Sequence, residues 1–366
     1  MKILLVDEWG AGNSIRLAND ITPTGASVYI LREFNVNIPL PRNAHLLPPV
    51  SLALEDRLDS IDRAVKKVNP DVIMPMEEST LFRIWDRQPS WLTLVQPRID
   101  LAWLDCYRDK HKMLEFARQR NVPVPETYIP ASTDPAIVLS YIEKLGLPVV
   151  IKGSTGSAGE QVRVASTIEE ALKEFDEIHS GTNQIPALQK FIDGPTYQVG
   201  GLFDNGRPIC FMVGEKVETL PPVTGPAIKL ESCEAPELAD FSMAIMSALG
   251  ISGMVGLDFI RDSDGQFYFL EINPRIWGSY GFARALDIDM FEFWHNFLQG
   301  IDQPTNTVYP IGVQWVKMPE YLFTEPQSRG NMLKRLSNQL ALKSLAWRQP
   351  YLLLHQLRRI YWAFRK

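Results

Sequence analysis

Residues 254–275 read MVGLDFIRDSDGQFYFLEINPR, two apolar runs separated by the turn signal Asp264-Gly265. Apolar and aromatic runs that flank an Asp-Gly pair are typical of a β-hairpin with a two-residue primed turn. Counting outward from that turn places Asp258 directly opposite Glu271 on one face of the hairpin. Asn273 lies two residues beyond Glu271 and shares this face. The stretch thus predicts a strand pair that presents two facing carboxylates and a side-chain amide.

Two carboxylates that face each other repel, and the repulsion destabilises a sheet unless a cation lies between them. Oxygen ligands from Asp258, Glu271 and Asn273 suit Mg²⁺ or Mn²⁺, particularly where substrate phosphates complete the coordination shell. The alternative is a solvated hairpin face that carries ordinary surface acids. The apolar neighbours Phe259 and Phe269 favour burial of at least one face. The sequence therefore predicts either a metal site or an exposed acidic face.

A second candidate for chemistry is the segment 152–160, which reads KGSTGSAGE and follows a helix pattern near 135–145 and a strand pattern over 149–152. Small residues allow backbone N–H groups to approach phosphate oxygens, and Lys152 supplies a positive charge. The pattern differs from a Walker A loop because the lysine precedes the glycines. A flexible turn between two strands would explain the same composition, so phosphate binding and a simple turn both stay open.

A third segment, Gln189-Lys190-Phe191-Ile192, is an apolar strand pattern that contains a polar pair. Its backbone groups could contact the edge of an adenine ring, but an amphipathic edge strand would show the same pattern. The segment alone therefore leaves two interpretations open, and its place in the order of motifs becomes the deciding observation.

The order of these motifs along the chain resembles that of the ATP-grasp superfamily. The segments that carry the resemblance are Asp109-Lys110, 122–125 (VPVP), 150–153 (VIKG), 189–194 (QKFIDG), 256–259 (GLDF) and 271–275 (EINPR). The last segment, followed by Trp277-Gly278-Ser279, is most similar to the carboxylate–amine ligases and to the ATP-binding halves of carbamoyl-phosphate synthetase. The resemblance covers roughly residues 1–300. It implies an α/β (α+β) ATP-grasp fold with an N-terminal Rossmann-like domain, a small lid subdomain and an antiparallel-sheet catalytic domain.

The resemblance also implies a site for ATP and Mg²⁺ (or Mn²⁺), with Asp258, Glu271 and Asn273 as the metal ligands. Arg275 and Lys152 would be catalytic, and Arg275 would steady the substrate carboxylate and the acyl phosphate formed from it. The residues that would bind ATP are Lys110, Lys152, Ser154, Gly156, Ser157, Gly159, Gln189, Lys190, Phe191, Ile192 and Thr196. The chain departs from the family at two of them, since the family usually has Glu in place of Gln189 and often Glu in place of Thr196, where it contacts the ribose.

The activity that the resemblance implies is an ADP-forming ligation of a small-molecule carboxylate to an amine through an acyl phosphate. The alternatives are a protein that binds nucleotide without turnover and an ATP-dependent kinase or carboxylase on the same fold. The candidate substrate contacts are Lys216, Lys229, Arg275 and Ser279. Lys216 and Lys229 would equally suit a solvated surface. The segment Glu77-Glu78-Ser79, at the end of a predicted strand, is a weaker candidate for contact with the amine.

Strand and helix patterns alternate over the first 100 residues, which predicts a doubly wound α/β unit. We expect this unit to be a pre-ATP-grasp domain over residues 1–100. The ATP-grasp domain would follow over 101–300, with its lid subdomain at about 112–188 and its catalytic part at about 189–300. The segment 301–366 would form a helical, basic C-terminal extension.

The net charge of −6 hides an asymmetry, because residues 327–366 contain nine Lys or Arg and no acid. The rest of the chain therefore has 28 basic and 43 acidic residues, which argues against nucleic acid as a partner. Apolar residues at helical spacing over 353–364 predict a basic amphipathic helix. Docking of this helix on the acidic body or on a second subunit is favoured over contact with a membrane.

The three cysteines are widely spaced, which is typical of free thiols in a reducing compartment. The N-terminus has the pattern of a first strand and not that of a signal peptide. Together they predict a cytoplasmic protein. A homodimer is a further expectation, since similar ligases are commonly dimers.

Overall fold

The computed structural model describes residues 1–8, 13–33, 40–53, 56–153, 161–318 and 321. The predicted Gly-rich loop 154–160 lies outside the described residues, as does the basic C-terminal segment 322–366.

The N-terminal unit is a four-stranded parallel sheet in the order β3-β2-β1-β4, with helices on both faces. Leu4 and Val6 of β1 pack on one face with Ile61, whereas Ile3 and Leu5 pack on the other face. Because both faces are covered, β1 is a continuous apolar run, which confirms the predicted doubly wound unit. Its elements are β1 Lys2–Asp7, α1 Asn13–Ile21, β2 Ser27–Arg32, β3 Ala44–Leu46, α2 Arg57–Val68, β4 Val72–Pro75 and α3 Glu78–Arg87.

Two helices, α4 Leu104–Arg108 and α5 Lys110–Arg118, connect this unit to the second sheet. Asp109 caps α5, because its carboxylate accepts the N–H groups of His111 and Lys112 at 2.8 and 3.3 Å. An N-cap of this kind satisfies amide groups that have no partner inside the helix. It also fixes Lys110 as the first residue of α5.

The second sheet has four antiparallel strands in the order β5-β8-β6-β7. A small core of its own, which includes Val138, Ile151 and Phe175, lies between the sheet and two helices. Thr167 begins the longer helix with a complete capping box. The elements are β5 Thr127–Tyr128, α6 Pro135–Leu145, β6 Val149–Lys152, β7 Val162–Ala165, α7 Ile168–Thr182 and β8 Ala187–Lys190.

The third sheet has six strands in the order β13-β12-β9-β10-β11-β14 and is antiparallel throughout. Residues 314–316, which lie in the predicted C-terminal extension, supply its last strand. Phe259 and Phe269 belong to the same hydrophobic cluster as Leu4 and Val6, so this sheet and the N-terminal unit share a core. The elements are β9 Thr196–Asp204, β10 Arg207–Thr219, β11 Ala227–Ser232, α8 Pro236–Leu249, β12 Gly253–Arg261, β13 Phe267–Asn273, α9 Phe282–Ala285, α10 Met290–Leu298 and β14 Gln314–Val316.

Cys106, Cys210 and Cys233 are all free thiols. Within the part of the chain that the structure describes, no helix has the length and apolar character needed to cross a membrane.

Candidate active site

A cleft of about 390 Å³ lies between the second and third sheets. It brings together residues that are far apart in the sequence, from the start of α5 to the hairpin of β12 and β13. The predicted site residues that line it are Lys110, Lys152, Gln189, Lys190, Phe191, Ile192, Thr196, Lys216, Asp258 and Glu271. The predicted residues Asn273, Arg275, Lys229 and Ser279 are not among the residues that line the cleft. Ser154, Gly156, Ser157 and Gly159 lie outside the described residues.

The hairpin of β12 and β13 pairs Asp258 with Glu271, as the sequence predicts. The turn itself differs from the prediction, because Asp262, and not Ser263, faces Gln266 across a three-residue loop. Three-residue loops with glycine in a left-handed conformation are the next commonest hairpin connection, and Gly265 has a φ of 89°. A β-bulge at position 270 then shifts the register by one residue and restores the pairing of the two acids.

The bulge also gives Leu270 a role in the cleft. Leu270 has no partner in the β12–β13 register, and its carbonyl oxygen accepts a hydrogen bond from Lys152 Nζ at 3.3 Å. Lys152 is the last residue of β6, so this bond connects the end of the second sheet to the hairpin of the third. The bulge therefore positions both the carboxylates and the lysine that lies beside them.

Both cleft carboxylates form ion pairs with lysines from other elements. Lys110 Nζ lies 2.7 Å from Glu271 Oε2, and Lys216 Nζ lies 2.9 Å from Asp258 Oδ2. The side chains of Lys216 and Asp258 are only 8% and 12% exposed, so solvent screens this second pair weakly. Two of the four lysines that line the cleft are thus paired with the two facing carboxylates.

These charges move the pKa values of the two facing acids in opposite directions. Burial raises the pKa of Glu271, but the positive charges of Lys110 and Lys152 outweigh burial and lower it to about 2. Burial also raises the pKa of Asp258; Lys216 opposes this effect, and the negative charge of Glu271 adds to it. Glu271 is therefore the more strongly ionised member of the pair.

Lys152 has the most perturbed basic group of the cleft. Its side chain is buried, and burial together with the positive charge of Lys110 lowers its pKa from 10.5 to about 8. Burial also lowers the pKa of Lys110, but Glu271 more than compensates and the net shift is upward. The structure thus distinguishes one lysine with a carboxylate partner from one that is held by a carbonyl group.

Two further side chains form a chain of hydrogen bonds that ends at Asp258. Gln198 on β9 pairs with Asp258 in the sheet, and its Nε2 donates to Asp258 Oδ1 at 3.4 Å. The hydroxyl of Ser279 in turn donates to Gln198 Oε1. Ser279, predicted as a substrate contact, therefore reaches the site through Gln198. Gln198 is not among the residues predicted from the sequence, because the pairing of β9 with β12 joins residues 60 positions apart.

The cleft also has apolar walls. Val150, Val162 and Val164 line it from the second sheet, and Ile260 and Leu270 line it from the third. Apolar walls of this kind suit a flat ring system, with backbone groups at the edges to fix its orientation. Alternation of polar and apolar residues over 162–165 was the sequence signal that could have identified Val162 and Val164.

Gln189, where the ATP-grasp pattern usually has a carboxylate, pairs with Val150 in the second sheet. Its side chain is buried, and its Nε2 donates to the hydroxyl of Thr127 at 2.9 Å. The amide group is therefore held in one orientation by β5, the neighbouring strand. Thr196, the second departure from the family pattern, lines the cleft at the start of β9.

Arg275 lies beside the N-terminal unit. Its Nε is 3.2 Å from Glu78 Oε1, and its Nη2 donates to Asn273 Oδ1 at 3.4 Å. Burial raises the pKa of Glu78, whereas the positive charge of Arg275 opposes this effect. Arg275 thus joins the end of the β12–β13 hairpin to the first turn of α3. Lys229 faces Glu218 and Val316 in the third sheet.

The segment after Arg275 packs on the third sheet through the indole ring of Trp277. Gly200 and Gly256 pair across β9 and β12, and Trp277 lies over both of them. A Cβ atom at Gly200 would be 2.1 Å from Trp277 Cζ2, and one at Gly256 would be 3.2 Å from Trp277 Cβ. Glycine is needed at Gly200 because any side chain there would displace the indole.

The donor set of the hairpin fits a magnesium ion that also binds phosphate. The part of the chain that the structure describes contains no group of three or more His, Cys, Asp or Glu side chains arranged to hold a metal. Mg²⁺ is usually held by one or two carboxylates, with waters and substrate phosphates as the other ligands. The facing oxygens of Asp258 and Glu271 provide such a pair, and the adjacent lysines suit the phosphates.

Known proteins resemble this chain both in sequence and in fold. The model of the family described as ATP-grasp domain matches residues 107–279. Biotin carboxylase 2, chloroplastic, from Populus trichocarpa is 27% identical over 183 residues, which is 46% of this chain and 34% of that relative. The match therefore spans about a third of the relative's length.

Solved structures resemble most of the chain. The biotin carboxylase domain dimer of the Hydrogenobacter thermophilus 2-oxoglutarate carboxylase, in complex with MgADP, ADP and bicarbonate, is 15% identical with a TM-score of 0.68, covering 84% of this chain and 71% of that chain. The L-amino acid ligase from Bacillus licheniformis is 19% identical with a TM-score of 0.64, covering 81% and 74%. At such low identity the likeness establishes the fold, and the matched family model establishes the domain. Residues 107–279 are therefore an ATP-grasp domain.

Proposed function

We propose that this chain is an ADP-forming ligase that activates a carboxylate with ATP and transfers the acyl group to an amine. The observation that carries the proposal is the pair of facing carboxylates, Asp258 and Glu271, with Lys110, Lys152 and Lys216 in a cleft that also has apolar walls. Phosphoryl transfer requires mainly positioning and neutralisation of negative charge, and these residues supply both.

In this proposal Asp258, Glu271 and Asn273 would hold Mg²⁺, which would supply positive charge to the ATP phosphates. Lys110 and Lys152 contact the phosphates, while the segment 189–192 and the valines of β6 and β7 contact the adenine. A carboxylate oxygen of the acid attacks the γ-phosphorus, the bond to the β-phosphate oxygen breaks, and ADP leaves. The amine nitrogen then attacks the acyl carbon, inorganic phosphate leaves, and the amine proton passes to solvent or phosphate.

Arg275 would stabilise the acid and the oxyanion of the tetrahedral intermediate. Its present partner, Glu78, lies in the N-terminal unit, so the acid would bind where that unit meets the end of the hairpin. Lys216 lines the cleft and would contact an anionic group there. Lys229 and Ser279, which do not line the cleft, would act on substrate only indirectly.

A carboxylase is the second candidate function, because biotin carboxylases are among the relatives and the solved structures that the chain resembles. In that case the acid would be bicarbonate and the acyl phosphate a carboxyphosphate, so the same residues would serve. An ATP-dependent kinase is a third candidate function, and nucleotide binding without turnover is a fourth. Each of these four functions predicts a different requirement for substrate.

The deciding experiment measures ADP release with Mg·ATP while amino acids, other small carboxylates and bicarbonate are supplied singly and in pairs with amines. A ligase releases ADP when an acid and an amine are both present, and the rate should fall about 10²–10³-fold in Glu271→Gln. ADP release with bicarbonate as the only acid would favour the carboxylase, and a stable phosphorylated product would favour the kinase. A chain that binds a non-hydrolysable ATP analogue and releases no ADP under any condition would contradict the ligase proposal.

A further inference from the structure

A row of four side chains crosses the second sheet on the face that borders the cleft. Val150 pairs with Val164 on one side and with Gln189 on the other. Gln189 in turn pairs with Thr127 of β5. Directly paired residues of an antiparallel sheet lie on the same face, and neighbouring strands are about 5 Å apart. Both valines and Gln189 line the cleft. The row therefore places one polar group, the side-chain amide of Gln189, beside an apolar platform.

The orientation of this amide is fixed by two hydrogen bonds in series. The Thr127 hydroxyl donates its only proton to the Pro125 carbonyl at 2.9 Å. Towards Gln189 the same hydroxyl oxygen can then only accept, so the group that faces it must be the amide nitrogen, which lies 2.9 Å away. Reversing the amide would bring two acceptor oxygens together. Gln189 is thus held with Nε2 against Thr127 and with Oε1 directed away from it.

The carbonyl oxygen of the amide is the part that is left for a ligand. Gln189 is only 4% exposed, and its Oε1 accepts no hydrogen bond from the residues that the structure describes. A ring that covers the valine platform would remove the remaining water from this oxygen, which is unfavourable unless the ring supplies a donor in return. Position 189 is therefore suited to a flat ring that carries a hydrogen-bond donor at its edge.

We propose that Gln189, with its amide held by Thr127, selects the base of the nucleotide by the exocyclic group of that base. Its Oε1 accepts from an amino group, as in adenine, and rejects a carbonyl group, as in hypoxanthine or guanine. A carbonyl oxygen of the base would face Oε1 and leave two acceptors without a donor. This inference rests on the proposed function, in which the cleft binds a nucleotide, and adds the residues that set the specificity for the base.

Thr127 matters because position 189 has an amide and not the carboxylate of the family pattern. A carboxylate offers acceptor oxygens whichever way it turns, whereas an amide offers a donor or an acceptor according to its orientation. The selectivity of this chain for the base therefore depends on a second residue, which a carboxylate would not require. Loss of the Thr127 hydroxyl should broaden the specificity for the base and should not abolish nucleotide binding.

The test compares MgADP with the magnesium complex of inosine diphosphate (MgIDP), which has hypoxanthine in place of adenine. The Kd of the full chain for each nucleotide is measured by calorimetry without acid or amine, so the result does not depend on turnover. We expect MgADP to bind about 10- to 100-fold more tightly, since in MgIDP a matched hydrogen bond is exchanged for two facing acceptors. Contacts of the backbone with the base contribute to this ratio as well, and variants of the two side chains separate the contributions.

Thr127→Val removes the hydroxyl and retains the shape of the side chain. The freed amide can turn its Nε2 toward the base, so the Kd for MgIDP should fall about 3- to 10-fold, while that for MgADP rises by no more than about three-fold. A gain of affinity for the rejected base is a result that loss of a merely structural contact does not produce. Thr127→Ser, which keeps the hydroxyl, should restore the ratio of the parent.

Two further variants serve as controls. Thr182→Val makes the same chemical change in α7, where the Thr182 hydroxyl donates to the Ile178 carbonyl at 2.7 Å and the residue does not line the cleft. It should leave both Kd values unchanged. Gln189→Met has no amide to turn, so its ratio of the two Kd values should be at least three-fold smaller than that of the parent. Adding Thr127→Val to Gln189→Met should then leave the Kd for MgIDP unchanged.

The possible failures are distinguishable. Equal Kd values for the two nucleotides in the parent would overturn this inference and leave the ligase proposal standing. The same holds if Thr127→Val, with urea unfolding like that of the parent, leaves the ratio unchanged or weakens both nucleotides alike. If Thr127→Val does not fold, Gln189→Met decides, and a ratio like that of the parent would overturn the inference. Absence of binding of either nucleotide by the parent would overturn the nucleotide site on which the ligase proposal itself depends.

Discussion

Lys152 and Lys110 both line the cleft, but replacing them one at a time with methionine should change the stability of the ligand-free protein in opposite directions. Burial and the charge of Lys110 lower the pKa of Lys152 from 10.5 to about 8. Since a ten-fold change in proton affinity is worth about 1.4 kcal/mol, the fold opposes this charge by on the order of 3 kcal/mol at pH 7. Lys152→Met also loses the hydrogen bond to the Leu270 carbonyl, which reduces the expected gain in stability by about 1 kcal/mol. Lys152→Met should therefore stabilise the protein by about 2 kcal/mol.

Lys110→Met removes the partner of a carboxylate. Glu271 would lose the ammonium group 2.7 Å away, and its pKa would rise, because Lys110 is the first of the charges that lower it. Breaking a fully buried pair in this way typically destabilises by about 3–5 kcal/mol. The side chains of Lys110 and Glu271 are 18% and 26% exposed, so solvent screens the pair in part and we expect a smaller destabilisation of about 2 kcal/mol. Both variants should lose activity, because both remove a proposed phosphate contact.

The assay is urea unfolding at pH 7 in the presence of a chelator, followed by tryptophan fluorescence. The sign of the pH dependence gives a second check. The folded pKa of Lys152 is depressed, so between pH 8 and 10.5 the unfolded state binds more protons and the stability of the parent rises with pH. The advantage of Lys152→Met should therefore shrink over that window. If Lys152→Met destabilises the protein at pH 7 as much as Lys110→Met does, the assignment of a buried, unpaired charge to Lys152 is wrong.

Three further predictions concern stability. Gly200→Ala should destabilise by about 1–3 kcal/mol in urea unfolding, because its Cβ would lie 2.1 Å from Trp277, whereas Gly181→Ala in α7, with nothing within 4 Å, should stabilise by up to about 1 kcal/mol. Burial raises the pKa of Glu8 from 4.5 to about 8, so the folded state binds more protons than the unfolded state between those pH values. The free energy of unfolding of the parent should therefore fall from pH 5 to 8. In Glu8→Gln this dependence on pH should be absent. Thr167→Ala should lower the thermal midpoint by removing a capping box worth about 1 kcal/mol, and an unchanged midpoint would contradict the cap.

The hairpin shows how far the sequence can lead and where it stops. The pairing of Asp258 with Glu271 was predicted from a two-residue turn, and the pairing is confirmed although the turn is not of that type. The three-residue loop displaces the register by one, and the bulge at Leu270 displaces it back. A bulge adds one residue without interrupting an apolar run, so the hydrophobic pattern contains no trace of it. The two errors cancel at the position that matters for the site.

Contacts between distant segments were beyond the sequence for a different reason. Motif order predicts that Lys110, Lys152 and Asp258 belong to one cleft, but it does not give the order of strands in a sheet. Gln198 meets Asp258 because β9 lies between β12 and β10, and Arg275 meets Glu78 because α3 packs near the end of the hairpin. Such contacts depend on how the sheets assemble, whereas strand and helix bounds depend on local pattern. This explains why the helix predicted near 135–145 and the strand predicted over 149–152 are confirmed as α6 and β6.

The two facing carboxylates of the cleft are both paired with lysines in the absence of ligand, and this affects how ligands bind. Lys110 and Lys216 are paired with the same carboxylates that we propose for magnesium. A phosphate chain competes for the lysines, and a divalent cation competes for the carboxylates, so either ligand alone would break ion pairs and leave a buried partner uncompensated. Bound together, they exchange each internal pair for a lysine–phosphate contact and a carboxylate–metal contact. The affinity of the cleft for nucleotide and for metal must then be mutually enhancing, and reciprocal by linkage. No carboxylate among the described residues lies within 4.0 Å of Lys152. Nucleotide phosphates should therefore stabilise the charge of Lys152 more than those of the paired lysines.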